Sequence, residues 1–184
     1  MKNIASNTLS YAGVVTLSKV VGQKKIKVAQ VHNTGGESLF EFLADCLAYD
    51  FDRARINRPA KIRLLERTTY ADESSKDGYS YSYTSASGFI YLLTQPEKIY
   101  GEANQCRVRY SFIIPRDYLE GVDSFDNLGI GLYSNSVKTE VESEDLQNFT
   151  AFCLLDLNRN TIAETSLAVD WELIIYNAGD EYNL

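Results

Sequence analysis

His32 is the only histidine in the chain, so any Ser-His-Asp or Cys-His relay must be built on it. It stands where an alternating segment runs into Asn33-Thr34-Gly35-Gly36, a position suited to capping a turn or bonding the first turn of a following helix. No carboxylate or cysteine lies near it in sequence to begin a metal site. Acidic pairs are plentiful: Asp50 with Asp52, Asp72 with Glu73, Asp123 with Asp126, and Glu140, Glu142 and Glu144 with Asp145. Two carboxylates facing across a glycosidic bond would make a hydrolase. Most of these acids stand in loop-like stretches, where a solvated carboxylate does not hold a proton near neutral pH. Solvation, not catalysis, is the expectation.

Gly129-Ile130-Gly131 begins like a phosphate-cradling loop but lacks a third glycine and opens no helix, so it is not read as a nucleotide site. Asp123, Asp126 and Asn127 offer oxygen ligands without the spacing of a calcium loop. Cys46, Cys106 and Cys153 are an odd number, each in an apolar segment and without close CxxC spacing, and are read as reduced core residues. No metal, no cofactor and no enzymatic activity are expected.

Two stretches suit contact with another molecule. Gly78-Tyr79-Ser80-Tyr81-Ser82-Tyr83-Thr84-Ser85 places Tyr79, Tyr81 and Tyr83 on one face of a strand and small hydroxyls on the other. Tyrosine gives large contact area at low entropic cost, and binding surfaces combine it with serine. A sugar could stack there, or the rings could cover the end of the core. In the last apolar segment Leu167, Val169, Trp171, Leu173 and Ile175 alternate with Ala168, Asp170, Glu172, Ile174 and Tyr176. The odd face reads as core, with Trp171 its anchor. Ile174 and Tyr176 make the second face apolar as well, so it is expected under a helix or against another chain.

The elements that must position these residues are mostly strands. Leu9 to Val21, a Gly22-Gln23 turn and Lys24 to His32 read as a hairpin. From Glu37, Leu39, Phe40, Leu43, Cys46 and Leu47 recur at helical spacing, predicting one helix over about residues 37–49, apolar enough to lie against a sheet. Arg58-Pro59 disfavours further helix. Strands are predicted at Lys61 to Arg67, Tyr79 to Leu93 with a break near Gly88, Asn104 to Ile114, Leu128 to Tyr133, Phe149 to Leu157 and Ser166 to Asn177. Thr68 to Gly78, Gln95-Pro96-Glu97 and Ser134 to Gln147 read as loops, and Pro115 to Leu119 as a turn able to form one helical turn. This spacing, without βαβ alternation, predicts a mainly β chain: one antiparallel β-sandwich domain, jelly-roll-like, over residues 1–184 with one inserted helix.

Thirteen tyrosines and eight phenylalanines against one methionine suit a pleated, half-buried surface. The net charge of −7 opposes phosphate backbones and anionic membranes, so neither nucleic acid nor membrane is an expected partner. Lys24-Lys25-Ile26-Lys27 reads as an exposed strand face. Met1 to Ser10 lacks the apolar stretch of a signal peptide, and no run approaches the roughly 18 apolar residues of a membrane span. Synthesis and assembly in a cytoplasm are expected.

Three segments resemble small virion structural proteins of tailed bacteriophages, accessory components of head, neck or tail. They are Val31-His32-Asn33-Thr34-Gly35-Gly36 leading into Leu39-Phe40-Glu41-Phe42-Leu43-Ala44-Asp45-Cys46-Leu47, then Arg58-Pro59-Ala60-Lys61-Ile62, and Val169-Asp170-Trp171-Glu172-Leu173. The shared patterns are core patterns, and no functional residue comes with them. The resemblance implies a non-catalytic, multicopy subunit, homo-oligomeric and bound to other virion proteins. A carbohydrate-binding β-sandwich using Tyr79, Tyr81 and Tyr83 is the alternative.

Overall fold

Val15 and Leu17 point one way from the first strand while Val14, Thr16 and Ser18 point the other, and this two-residue alternation organises the whole molecule. The structure, a computed structural model, describes residues 9–33, 37–74, 78–100, 105–120, 128–135, 151–155 and 165–177. These form β1 (Leu9–Val21), β2 (Lys24–Asn33), α1 (Glu37–Leu47), α2 (Phe51–Asn57), β3 (Pro59–Ala71), β4 (Tyr79–Ser85) and β5 (Ile90–Tyr91). There follow β6 (Glu97–Tyr100), β7 (Gln105–Ile114), α3 (Arg116–Glu120), β8 (Leu128–Ser134), β9 (Ala151–Leu155) and β10 (Leu167–Asn177). The described chain is mainly β, with antiparallel sheets and three short helices.

One sheet runs β2-β1-β10-β7-β6; the other runs β4-β3-β8-β9, with β5 also paired to β3. The β1–β2 hairpin turns on Gly22, whose φ of +60° suits the first position of a tight turn. Trp171, in the middle of the central strand β10, sits opposite Val15 on β1 and Tyr110 on β7. The inward residues of both sheets form one cluster: Val15, Leu17, Tyr110, Phe112, Val169 and Trp171 meet Ile62, Leu64, Ile130 and Leu132. Burial of this apolar surface is the main force holding the two sheets together.

Several expectations need correction. The helix expected over 37–49 is present as α1, but it is not the only one: α2 follows it across an elbow, and α3 forms where Pro115 to Leu119 was read as a turn able to form one helical turn. Only Phe42 and Leu43 of α1 pack on the core among its described side chains, whereas Ala44, Cys46 and Leu47 are exposed. Cys46 is therefore no core residue; Cys106 is half-buried, and the side chain of Cys153 lies outside the description. β3 continues as strand through Thr68 to Ala71, where a loop was expected, and Glu97 opens β6 directly after Pro96.

Two tyrosines make the core sensitive to alkali. Burial, and secondarily the nearby Cys46 thiol, push Tyr110 up to about 12. Burial raises Tyr133 as well, against an opposing pull from Arg63. Both keep their protons in the fold at pH values where an unfolded tyrosine, near pH 10, has lost its own. Their contribution to stability is complete below about pH 10 and is lost as pH rises toward about 12. Urea midpoints measured between about pH 9 and about pH 12 should fall progressively; a flat profile would put both phenols in solvent.

Candidate functional site

The elbow between α1 and α2 is built without the glycine that usually makes such a turn. Tyr49 takes φ +59°, the left-handed conformation, which L-residues enter at a cost of about 1–2 kcal/mol. Asp50 N–H donates to Asp45 O at 3.0 Å and Tyr49 N–H to Cys46 O at 3.4 Å, the paired bonds of a Schellman ending. Asp50 then caps α2, its Oδ1 accepting from Arg53 N–H at 3.2 Å. This places three apolar side chains in solvent: Leu47 at 73%, Tyr49 at 78% and Phe51 at 65% exposed. The Tyr49 and Phe51 rings meet edge to face at 5.8 Å.

Glycine enters the left-handed conformation without the cost that Tyr49 carries there. Tyr49→Gly should accordingly raise stability by about 1 kcal/mol, read as a higher urea midpoint. A lower midpoint would mean that the ring stabilises the elbow.

A cleft of about 600 Å³ opens between α1, the start of β3 and the segment after β5. Phe42, Pro59, Tyr91, Leu93 and Tyr110 give it apolar and aromatic walls, and Arg58, Gln95 and Asn135 supply polar groups. Its floor is tied by Leu92 N–H to Ala60 O at 3.0 Å and Asn135 N–H to Arg58 O at 3.0 Å. Tyr91 and Leu93, 56% and 58% exposed, form its lip.

Beside the cleft, the outward residues of β3 are cationic yet covered. Lys61, 3% exposed, holds its ammonium 4.5 Å from the centre of the Phe89 ring and 6.0 Å from that of Tyr91. The Arg63 guanidinium lies 4.7 Å from the Phe89 ring centre. Burial holds Lys61 below the usual lysine range; ring faces favour a desolvated cation.

The outer face of the other sheet carries a band of paired charges. Arg109 donates to Glu172 Oε1 through Nε at 2.8 Å and Nη2 at 2.7 Å, and this hydrogen bond raises its pKa further. Asp170 accepts from Ser111 Oγ at 2.6 Å and pairs with Lys25 at 3.1 Å. Both carboxylates are thus engaged by partners on their own sheet. Asp72, likewise, accepts from Ser74 N–H at 2.9 Å within its turn. Asp123, Asp126, Glu140, Glu142, Glu144 and Asp145 lie outside the described residues.

The five contact residues expected from sequence do not converge on one site. Tyr79, Tyr81 and Tyr83 take positions on β4, opposite Ala71, Thr69 and Arg67, and their side chains lie outside the description. Ile174 is 2% exposed, so it is no contact residue. It stands on the central strand between Ala12 and Arg107, where the chain itself covers it; an arginine stem can cover apolar surface while its head stays wet. Tyr176 is half-buried at the strand's end. His32 is exposed on β2 opposite Val14. The elbow, the cleft and the covered cations were missed. Their available signals were the Ala-Tyr-Asp break in the helical pattern and the Lys-Ile-Arg-Leu alternation.

Among the described residues no group of three or more His, Cys, Asp or Glu could hold a metal ion, and no helix is long and apolar enough to cross a membrane. No family model matches the chain, and comparison with curated proteins and with solved structures found no match.

Proposed function

We propose that the chain is a non-catalytic, protein-binding structural subunit of a tailed-bacteriophage virion, a capsid decoration, neck or tail component assembled in the host cytoplasm. In this reading it folds as a single antiparallel β-sandwich of the jelly-roll kind and works in many copies against itself and other virion proteins. The observation that carries the reading is the elbow: Leu47, Tyr49 and Phe51 stand in solvent on a strained turn. Exposed apolar and aromatic clusters of this kind serve as anchors in protein interfaces. The pairing of Asp170 and Glu172 with lysine and arginine and the capping role of Asp50 support a structural rather than a catalytic use of these acids. The virion itself enters through the sequence resemblance.

Leu47 and Phe51 are exposed, so Leu47→Ser/Phe51→Ser should fold normally. In a density gradient of particles from cells that make the chain, the wild type should travel with the particles and the double variant should stay at the top. A double variant that travels with the particles as the wild type does would remove the elbow from the interface.

A carbohydrate-binding module is the second reading, favoured by the Tyr91 and Tyr110 rings beside Arg58, Gln95 and Asn135 in the cleft. On a glycan array, a hit that disappears in Tyr91→Ala would select it over the first.

A further inference from the structure

β4 pairs with β3 from Leu65 opposite Ser85 to Ala71 opposite Tyr79, without a register shift. On the other side of β3, β8 pairs only from Pro59 to Glu66. Beyond Glu66, Arg67–Ala71 and Tyr79–Tyr83 therefore run on as a two-stranded ribbon, with no third strand among the described residues. Such a ribbon is marginal in water by itself. Thr68, Thr69 and Tyr70 on it are exposed, Tyr70 at 50%. Soluble proteins blunt open edges with charges, prolines or bulges. β4, Tyr-Ser-Tyr-Ser-Tyr-Thr-Ser, has no charge, no proline and no bulge.

About Ser82 the strand reads almost alike in both directions. A two-fold axis there sets Ser82 opposite Ser82, Tyr81 opposite Tyr83, Ser80 opposite Thr84 and Tyr79 opposite Ser85. Aromatic positions then face aromatic ones at the centre of one face, with Tyr79 opposite Ser85 at its ends, and hydroxyl positions face hydroxyl ones along the other. Both are favourable cross-strand pairs, and no charge meets a like charge.

We infer that β4 is the docking edge for a second copy of this chain, the two β4 strands pairing antiparallel about Ser82 so that two sheets become one. The inference rests on the subunit reading above and names one of its contacts. The interface is isologous, the same strand on both copies, and closes as a dimer. Each projecting ribbon gains a third strand, and the backbone groups along the β4 edge, which pair with no strand among the described residues, gain partners.

Ser82 is the position to test, because substitutions there meet their own copies across the axis. Its register partner on β3, Thr68, is exposed. Sedimentation equilibrium on the full chain should show a reversible wild-type dimer. Ser82→Lys and Ser82→Asp, each opposing like charges, should each raise the dissociation constant about tenfold or more, and an equimolar mixture of the two should recover wild-type association. Variants that dimerise as the wild type does, a loss that the mixture fails to restore, or a wild type that stays monomeric would each overturn the pairing. None of these results bears on whether the chain is a virion subunit. That reading fails separately, if the chain is missing from particles.

Discussion

Trp171→Ala should lower the stability of the fold by about 3–5 kcal/mol, the range for removing a large buried aromatic. The residue is fully buried on the central strand of its sheet, between Val15 and Tyr110, and belongs to the cluster that both sheets share. Truncation would leave a void where the sheets meet, and a two-sheet core cannot close over it without moving strands that are held in register on both sides. A domain of this size is stable by about 5–15 kcal/mol in total, so the variant should be visibly less resistant to urea. Trp171 Nε1 has no acceptor among the described residues, so no hydrogen bond shown here is lost with the indole. Trp171→Phe should therefore cost much less than Trp171→Ala. Urea midpoints for the two variants test this, and a loss below about 1 kcal/mol in the alanine variant would place Trp171 outside the core.

The second large effect is steric. A Cβ added to Gly131 would lie 2.6 Å from Tyr133 Cε2, 2.7 Å from its oxygen and 2.8 Å from Cζ. The ring of Tyr133 leans back over the glycine two residues earlier on the same face of β8. It cannot withdraw easily, being fully buried and packed edge to face on Phe89 at 5.3 Å. Gly131→Ala should thus cost about 1–3 kcal/mol, as overpacking does. Shortening the neighbour should relieve it. In Gly131→Ala/Tyr133→Leu the two changes should be less harmful together than their sum, by roughly 1 kcal/mol in a double-mutant cycle. Strict additivity would mean that the ring does not occupy the space above Gly131.

The same pair of residues shows where reading from sequence stops. Gly129-Ile130-Gly131 is recognisable as no nucleotide loop, because no helix follows it. That the second glycine makes room for a tyrosine depends on which side of β8 faces Lys61 and Arg63, and this is decided by pairing with β3, dozens of residues away. Strands with clean alternation were legible: β1, β2, β7, β8 and β10 begin and end close to where their patterns do, and the β1–β2 turn is marked by Gly22. α1 also ends close to where its pattern does, but the second helix directly after it was not legible, since a tyrosine stands at the elbow where a glycine would have announced a turn. β6 was hidden because Pro96 precedes it directly. The continuation of β3 through Thr68, Thr69 and Tyr70 was masked by the acidic turn after it. Ile174 misled for a related reason. Its alternation is that of a two-sided apolar strand, and whether the second side is covered by the chain or by a partner is a question of neighbours that period-two spacing does not answer.

The candidate surfaces divide along the same line. The uncharged Tyr/Ser segment was legible as a strand from its alternation alone. Its edge position, and the short reach of β8 that leaves the ribbon projecting, come from strand order. At the elbow, a helical reading assigns Leu47 to the buried face, whereas the structure leaves Leu47, Tyr49 and Phe51 all exposed.

Whether the chain is a structural component of a particle, as proposed above, is decided by counting its copies there. Particles purified from the cells that make the chain, analysed by quantitative mass spectrometry against a known structural protein, should contain it at a fixed copy number commensurate with the symmetry of one particle layer. A chain that is absent from particles, or present only in traces that vary between preparations, would contradict the account.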